Sequence, residues 1–384
     1  MLYLVGATVS LHGLWIYRVA LGWYAWELSG SELWVGIVAA TQFAPAVVFG
    51  PIFGVLADRF DRRAAAILLN ALSFVNMLLL GLLVSLGFID VRVLAVLALG
   101  QGIIDGAHTP VRMSIVPNLV ERNQLTSAIA LTSVAFNTSR FLGPALAGLV
   151  IAVFGVATAF VINGVSYLGM VVAVFMITLR PSGKPRDQRR HPVAELVEGA
   201  RYVVRHETIR SLLVIAALGA VCGRGALEML PVFSDDVYGG GATTLAMLTS
   251  AVGAGSVLTG LALSRGSTWL SVRFMHGALI ATGALVVALG LLDGLAAGLA
   301  LVALLGVTLS LCGIGAQILI QARVDDEIRG RVSSFWGMIA FGGTSLGSLL
   351  VGMGAHFFGL QAAVVSAGAV CASIALLQSL RRAT

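Results

Sequence analysis

The sequence carries very little charge for its length. Only 11% of its 384 residues are Asp, Glu, Lys or Arg, and Lys184 is the one lysine. A soluble domain carries about 25% charged residues and needs them at its surface. Because 58% of the residues are hydrophobic and the mean hydropathy is +0.96, the sequence instead predicts a polytopic membrane protein.

Other rare residues and missing motifs argue against several classes of function. Cys222, Cys312 and Cys371 stand singly in apolar runs, with no spacing typical of a metal site or a disulfide framework. The chain has no Walker-type phosphate loop, so we do not expect ATP to drive it directly. Its six histidines are scattered, which argues against a convergent catalytic set and an enzyme. We expect neither a cofactor nor a metal ion.

Long apolar runs dominate the chain. About 20 apolar residues in a helix span a bilayer, and lipid offers no partner for exposed backbone groups. Twelve such runs predict an all-α protein with twelve transmembrane helices, and the first run reads as a span rather than a signal peptide. The runs lie at roughly 2–26, 33–57, 64–88, 93–117, 124–152, 156–179, 209–234, 242–264, 274–292, 294–322, 332–357 and 360–380.

The basic residues predict the orientation. Of the 24 Lys and Arg residues, twenty lie in or beside the loops after even-numbered spans or in the C-terminal tail, whereas Arg92 is alone on the other side. Cytoplasmic loops carry such an excess, so we expect these loops and both termini to be cytoplasmic in a cell membrane. Anionic lipid then accounts for the net charge of +6 without any nucleic acid. Trp23, Trp26 and Trp34 fit the opposite interfacial belt.

The spans divide into two sets of six. We predict a bundle at 1–179, a cytoplasmic linker at 180–208 and a second bundle at 209–384. The linker places Val193, Leu196, Val197, Ala200 and Val204 at helical spacing, which indicates an amphipathic helix on the membrane surface. A partner-binding segment is the other interpretation of this helix.

The two sets also resemble each other. "LGPALAGLVIAVFG" at 142–155 aligns without gaps with "LGSLLVGMGAHFFG" at 346–359, and "GVLADR" at 54–59 corresponds to "GLALSR" at 260–265. A parallel six-plus-six repeat is typical of secondary transporters, whose site lies between the repeats near the bilayer midplane.

One loop resembles a known signature. "GVLADRFDRR" at 54–63 resembles the loop Gly-x-x-x-Asp-Arg-x-x-Arg-Arg of the major facilitator superfamily, and the segments 115–150, 191–213 and 323–337 resemble its enterobactin-exporter and multidrug efflux branch. The resemblance implies the major facilitator fold, with Asp58 near Ser333 at the start of the eleventh span. It also implies a conformational motif made of Gly54, Asp58, Arg59, Arg62, Arg63 and Arg112.

Charges inside spans mark a candidate site, because each costs about 2.5–3.5 kcal/mol at the bilayer centre. Gln101, Asp105, His108 and Arg112 recur on one face of the fourth span. We favour Asp105, paired with Arg140 in one state, as the proton-coupling residue, and Glu228 is the alternative. Ion pairs that only hold helices together are the other interpretation. The candidates for substrate binding or proton coupling are Arg18, Gln101, Asp105, His108, Asn137, Arg140, Arg224, Glu228, Gln317 and Gln321.

The expected function is secondary active export of an amphipathic, drug- or siderophore-like small molecule. Proton antiport and rocking of the two halves would provide the mechanism. A lipid or lysolipid transporter of the same fold is the alternative within transport, and a membrane-embedded enzyme and a non-transporting sensor are the other classes. We expect a monomer whose partners are the substrate, protons and the bilayer.

Overall fold

The structure is all-helical. The computed structural model describes residues 2–59, 61–115, 119, 125–177 and 192–380. Within these ranges it leaves out the side chains of 51, 54–59, 109, 113, 114, 125–130, 133, 134, 136, 137, 192–197, 326 and 327.

Helices follow one another with short connections. In the first part of the chain they are α1 (Leu2–Ser29), α2 (Glu32–Arg59), α3 (Arg62–Ser85), α4 (Val91–Ile115), α5 (Leu125–Phe154), α6 (Val156–Met176) and α7 (Pro192–Arg205). They continue as α8 (Glu207–Val237), α9 (Gly241–Ser264), α10 (Val272–Leu291), α11 (Leu295–Gln321), α12 (Asp326–Phe358) and α13 (Leu360–Leu380).

Eleven helices of the described chain are long and apolar enough to cross a membrane. They confirm eleven of the twelve predicted spans. The remaining one, predicted at 124–152, corresponds to α5 (Leu125–Phe154), whose continuously described side chains form an apolar stretch over Thr138–Phe154. The protein is therefore a multi-pass membrane protein, and the arrangement of twelve spans as two repeats remains a prediction.

Two helices contain segments that depart from regular α-geometry. In α8 the segments Gly219–Arg224 and Phe233–Val237 are π-helical, and in α11 the segment Leu311–Gly315 is π-helical. The first and the last of these pack together, since a Cβ at Gly219 would lie 3.2 Å from the Cβ of Cys312. Such π-bulges occur frequently at functional sites.

The bundle has two ends, defined by their connections. The odd-loop end holds residues 30–31, 86–90, 238–240 and 292–294, and the even-loop end is the opposite one. Gly155 and Gly359, the last residues of the two aligned sequence segments, lie at the odd-loop end. Both have positive φ, 79° and 86°, which only glycine adopts without strain.

Helices from the two parts of the chain pack directly on each other. The most extensive of these contacts join α2 to α12 and α5 to α9. Near the odd-loop end, the indole Nε1 of Trp26 donates a hydrogen bond to Asp235 Oδ2 at 2.9 Å. The prediction that Trp26 belongs to a lipid-facing belt is wrong, because its ring is 8% exposed and joins α1 to α8.

The helix α7 docks against the bundle. Arg331 Nη1 of α12 lies 2.7 Å from Glu198 Oε1, and a Cβ at Gly199 would meet the ring of Phe335 at 3.0 Å. Val204 on the same helix is 64% exposed. The described part of α7 thus has one protein-facing side and one exposed side. The residues Val193, Leu196 and Val197 lie outside the described side chains.

Glycine residues at points where two helices touch lead to a prediction about stability. We expect Gly347→Ala to lower the thermal unfolding midpoint by several degrees, because the new methyl group would overlap the carbonyl oxygen of Val221 on α8. Gly337→Ala on the same helix is the matched control, since its Cβ would meet nothing within 4 Å. Thermal unfolding of both purified variants measures the difference, and equal midpoints would contradict the prediction.

Candidate functional site

Charged side chains from four helices converge in the middle of the bundle. The guanidinium carbon of Arg18 on α1 lies 5.1 Å from the ring centroid of Trp15 and 5.4 Å from that of Phe43 on α2. The guanidinium carbon of Arg140 on α5 lies 5.9 Å from the same Trp15 ring. Cations favour such positions near aromatic faces. Trp15 therefore joins the predicted candidates Arg18 and Arg140.

The acids and cations of this region act on one another. Arg18 attracts both Asp105 and Glu228, and Arg224 attracts Glu228 across one helical turn. Arg140 is repelled by Arg18 and by Arg224. In this structure the cations that act on Asp105 are Arg18 and Arg112, and its pairing with Arg140 in one state of the cycle stays a prediction.

None of the five charged side chains is fully buried. Arg18, Asp105, Arg140, Arg224 and Glu228 all keep intermediate exposure although they lie far from the ends of their helices. Charged residues in membrane helices face the bundle interior or a water-filled cavity. Since these five interact with each other across helices, they face a shared interior region.

A hydrogen-bond network surrounds Asp105. The fully buried Gln101 donates from Nε2 to Asp105 Oδ1 at 2.9 Å and to Ser73 Oγ at 3.1 Å. Asn76 Nδ2 donates to Gln101 Oε1 at 3.2 Å. Buried polar groups need such partners, and the network connects Asp105 through Gln101 to Ser73 and Asn76 of α3.

The network continues along α4. His108 Nε2 lies 3.5 Å from Ser73 Oγ, and its ring stacks on Tyr167 of α6 with centroids 6.1 Å apart. Arg112, half-buried one turn further, interacts electrostatically with Asp105 and His108. The four polar residues of α4 that were predicted to share a face thus share one electrostatic environment.

The candidates on α11 lie apart from this region. Gln317 is half-buried and Gln321 is exposed, and the described contacts do not join either to the charged residues. Asn137 lies on α5, but its side chain is outside the described part of the structure.

The signature loop is described only in part. The side chains of Gly54, Asp58 and Arg59, at the end of α2, lie outside the described residues, so the contact predicted for Asp58 is untested. Arg63 donates to the carbonyl oxygen of Phe175, and its guanidinium carbon lies 5.5 Å from the Phe175 ring. Arg62 is half-buried at the first position of α3.

A second acid of the loop has a local role. The carboxylate of Asp61 accepts a hydrogen bond from the backbone N–H of Ala64 at 2.7 Å. Asp61 is therefore the N-cap of α3, a position where Asp satisfies an otherwise unpaired helix N–H.

Comparison with known proteins identifies the family. A family model described as "Transmembrane secretion effector" matches residues 2–383. The chain belongs to this family. The family and its relatives are transporters of the major facilitator superfamily, so the resemblance of the signature loop is confirmed and the protein is a transporter, not an enzyme.

Several similar proteins have names that state a transport activity. The staphyloferrin A transporter of Staphylococcus aureus is 24% identical over 364 residues, which cover 91% of this chain and 87% of that protein. The multidrug efflux pump Tap of Mycolicibacterium fortuitum is 28% identical over 372 residues, which cover 94% and 90%.

The fold of this chain also matches solved transporters. A bacterial homolog of the human lysosomal transporter Spinster, in an inward-facing and occupied conformation, superimposes with a TM-score of 0.77. The match covers 98% of this chain and 95% of that chain at 18% identity, so it supports the fold alone.

Several residues of the candidate site were not predicted from the sequence. Ser73, Asn76 and Tyr167 complete the network around Asp105, and Phe43 contacts Arg18. A search for charges misses them because α3 and α6 carry no charge in their spans. The sequence feature that could have indicated these residues is polar side chains at helical spacing within the two spans. They are Asn70 and Ser73 on α3, and Asn163 and Tyr167 on α6.

Proposed function

We propose that this transporter exports an amphipathic small molecule, drug- or siderophore-like, in exchange for protons. The observation that carries the proposal is the pair of acids inside the bundle, Asp105 and Glu228, each attracted by a cation from another helix. Intramembrane acids are expensive and mark proton or substrate pathways. The named relatives are efflux and siderophore carriers, which also supports this proposal over lipid or lysolipid transport.

Rocking of the two halves is the proposed movement. Contacts between the halves lie near the odd-loop end: Trp26 bonds to Asp235, and a Cβ at Gly36 would lie 2.5 Å from the carbonyl oxygen of Ser348. These contacts support a state that is closed at the odd-loop end. Alternating access requires that they break and that the even-loop end closes.

Asp105 is the proposed proton carrier, and its surroundings support the role. Arg18 reaches it from α1, Gln101 and Arg112 from its own helix, and Tyr17 and Tyr167 interact with it from α1 and α6. A movement of α1 relative to α4 would remove the attraction of Arg18. Protonation of Asp105 would then favour one conformation over the other, as coupling requires.

The proposed location is the cell membrane, with the even-numbered loops and both termini in the cytoplasm. We expect single cysteines at Arg62 and Arg186, in a variant without the three native cysteines, to resist impermeant thiol reagents in intact cells, because basic loops stay inside. A cysteine at Ser31 is the matched control and should react. Labelling at position 62 or 186 from outside would contradict the orientation. Position 186 lies outside the described residues.

A proton-flux measurement tests the proposed function. The purified protein is reconstituted into liposomes that contain a pH-sensitive dye, and amphipathic compounds are added one by one under an imposed pH gradient. The proposal expects at least one compound to cause proton movement that empty liposomes do not show. If a compound accumulates against its gradient without any proton movement, proton antiport is wrong.

We further propose that the protein is a monomer that needs neither cofactor nor nucleic acid.

A further inference from the structure

Arg140 differs from the other charges of the site in its surroundings. Arg18 has Asp105 and Glu228 as attractive partners, and Arg224 has Glu228. Among the described residues, the charged side chains that act on Arg140 are Arg18 and Arg224, both cations. Its other contact is the ring of Trp15.

The guanidinium groups of Arg18 and Arg140 lie near the same aromatic ring, and Arg224 repels Arg140 electrostatically. Because Arg18 and Arg140 share the ring of Trp15, their central carbons are separated by no more than the sum of the two distances, about 11 Å. Asp105 is already bonded to Gln101, and Glu228 lies beside Arg224 on its own helix. Like charges repel strongly in a medium of low polarity, so an anion placed among the three arginines would stabilise the site.

The same place offers apolar surface. Trp15 lies beside both Arg18 and Arg140, and Phe43 beside Arg18. Phe43 stacks on Phe341 of α12 with centroids 6.5 Å apart and planes inclined by 25°. An aromatic group could therefore pack beside Trp15 and Phe43 while a charged group attached to it reaches Arg140.

We propose that Arg140, together with Arg18 and Arg224, forms a binding subsite for the carboxylate of an aromatic or otherwise amphipathic anion. A planar guanidinium binds a carboxylate through two parallel hydrogen bonds, and Arg140 is only partly buried, which leaves it accessible to a ligand. This inference rests on the proposed function, since it names the charge class of the exported molecule. It assigns Arg140 to substrate recognition, separately from proton coupling at Asp105.

A matched set of three probes tests the subsite. Binding of 1-naphthoate, 1-naphthalenemethanol and 1-naphthalenemethylammonium is measured by equilibrium dialysis against the protein in phosphatidylcholine nanodiscs, with empty nanodiscs as the blank. The probes share one ring system and differ in charge. We expect the carboxylate to bind at least tenfold more tightly than either of the others, the size of one charge-assisted hydrogen bond.

Variants connect the preference to Arg140. Arg140→Gln should reduce the preference for the carboxylate to less than about threefold, and Arg140→Lys should give an intermediate preference, because the charge remains but the two parallel hydrogen bonds of a guanidinium are lost. Arg92→Gln, an exposed arginine at the odd-loop end, is the matched control and should bind all three probes as the wild type does. Thermal unfolding of each variant shows that it is folded.

Two outcomes would overturn the inference. The first is a wild-type protein that binds the alcohol or the ammonium probe as tightly as the carboxylate, or that does not bind the carboxylate. The second is a folded Arg140→Gln variant that keeps the full preference. Proton flux in liposomes is measured without these probes, so it judges the proposed function separately from the subsite.

Discussion

Replacement of Asp105 by Asn is expected to abolish transport against a substrate gradient while leaving substrate exchange intact. Asn has nearly the same shape and can still accept the hydrogen bond from Gln101, so the network around Ser73 persists. It cannot gain or lose a proton, and its interaction with Arg18 no longer changes with protonation. A carrier whose two states do not differ in proton affinity cannot use a pH gradient.

Liposome transport assays separate the two activities for this variant. Uphill accumulation is measured with an imposed pH gradient, and exchange is measured without one. Asp90→Asn is the matched control, since Asp90 is an exposed acid that accepts a hydrogen bond from Val93 at the start of the same helix, and Asn can do the same. Uphill transport at the wild-type rate by Asp105→Asn would exclude Asp105. The same result for Glu228→Gln would exclude the alternative carrier.

The positions of the membrane helices could be predicted from the sequence because hydrophobic length alone determines them. Runs of about 20 apolar residues correspond to helices such as Val156–Met176 and Gly241–Ser264, with boundaries within a few residues. The π-helical segments could not be predicted in this way. Gly219–Arg224 and Leu311–Gly315 are rich in glycine and small apolar residues like the rest of their helices, and the extra residue of a π-bulge produces no recognisable change in composition.

The charged part of the site could be predicted, but its pairing could not. The cost of burying charge singled out Asp105, Arg140 and Arg224 as candidates. Which of them meet depends on how the helices are arranged. Since α1 packs against both α4 and α5, its Arg18 acts on Asp105 in this structure, whereas the cations Arg18 and Arg224 act on Arg140. The pairing of Asp105 with Arg140 in another state stays a prediction. Sequence spacing within one helix carries no information about such neighbours.

The contacts of neutral polar and aromatic residues could not be predicted from the sequence either. Trp26 has the position of an interfacial tryptophan in the sequence, yet it is buried and bonded to Asp235, more than two hundred residues away. Asn76 and Tyr167 interrupt their apolar runs only weakly, because each is one polar group in a long hydrophobic span. Their role follows from the packing of α3 and α6 on or near α4, which local patterns do not specify.

Substitution of Gly36 by Ala is expected to shift the transporter away from the state described here. A methyl group at this position would lie 2.5 Å from the carbonyl oxygen of Ser348, so α2 and α12 could not keep their present contact. The contact belongs to the closed odd-loop end, and opening that end would relieve the overlap. Overpacking of this kind costs about 2 kcal/mol, which changes the ratio of two states about 30-fold.

Distances between spin labels measure the shift. Labels at Ser31, just before α2, and at the exposed Phe358, the last residue of α12, should move apart in Gly36→Ala relative to the wild type. Gly50→Ala on the same helix is the matched control, because its Cβ would meet nothing within 4 Å and the distance distribution should stay unchanged. Transport should slow in the first variant alone, since a carrier held in one state cannot complete its cycle. If Gly36→Ala keeps the wild-type distances and rate, the contact between α2 and α12 does not separate during transport and the two halves do not rock about it.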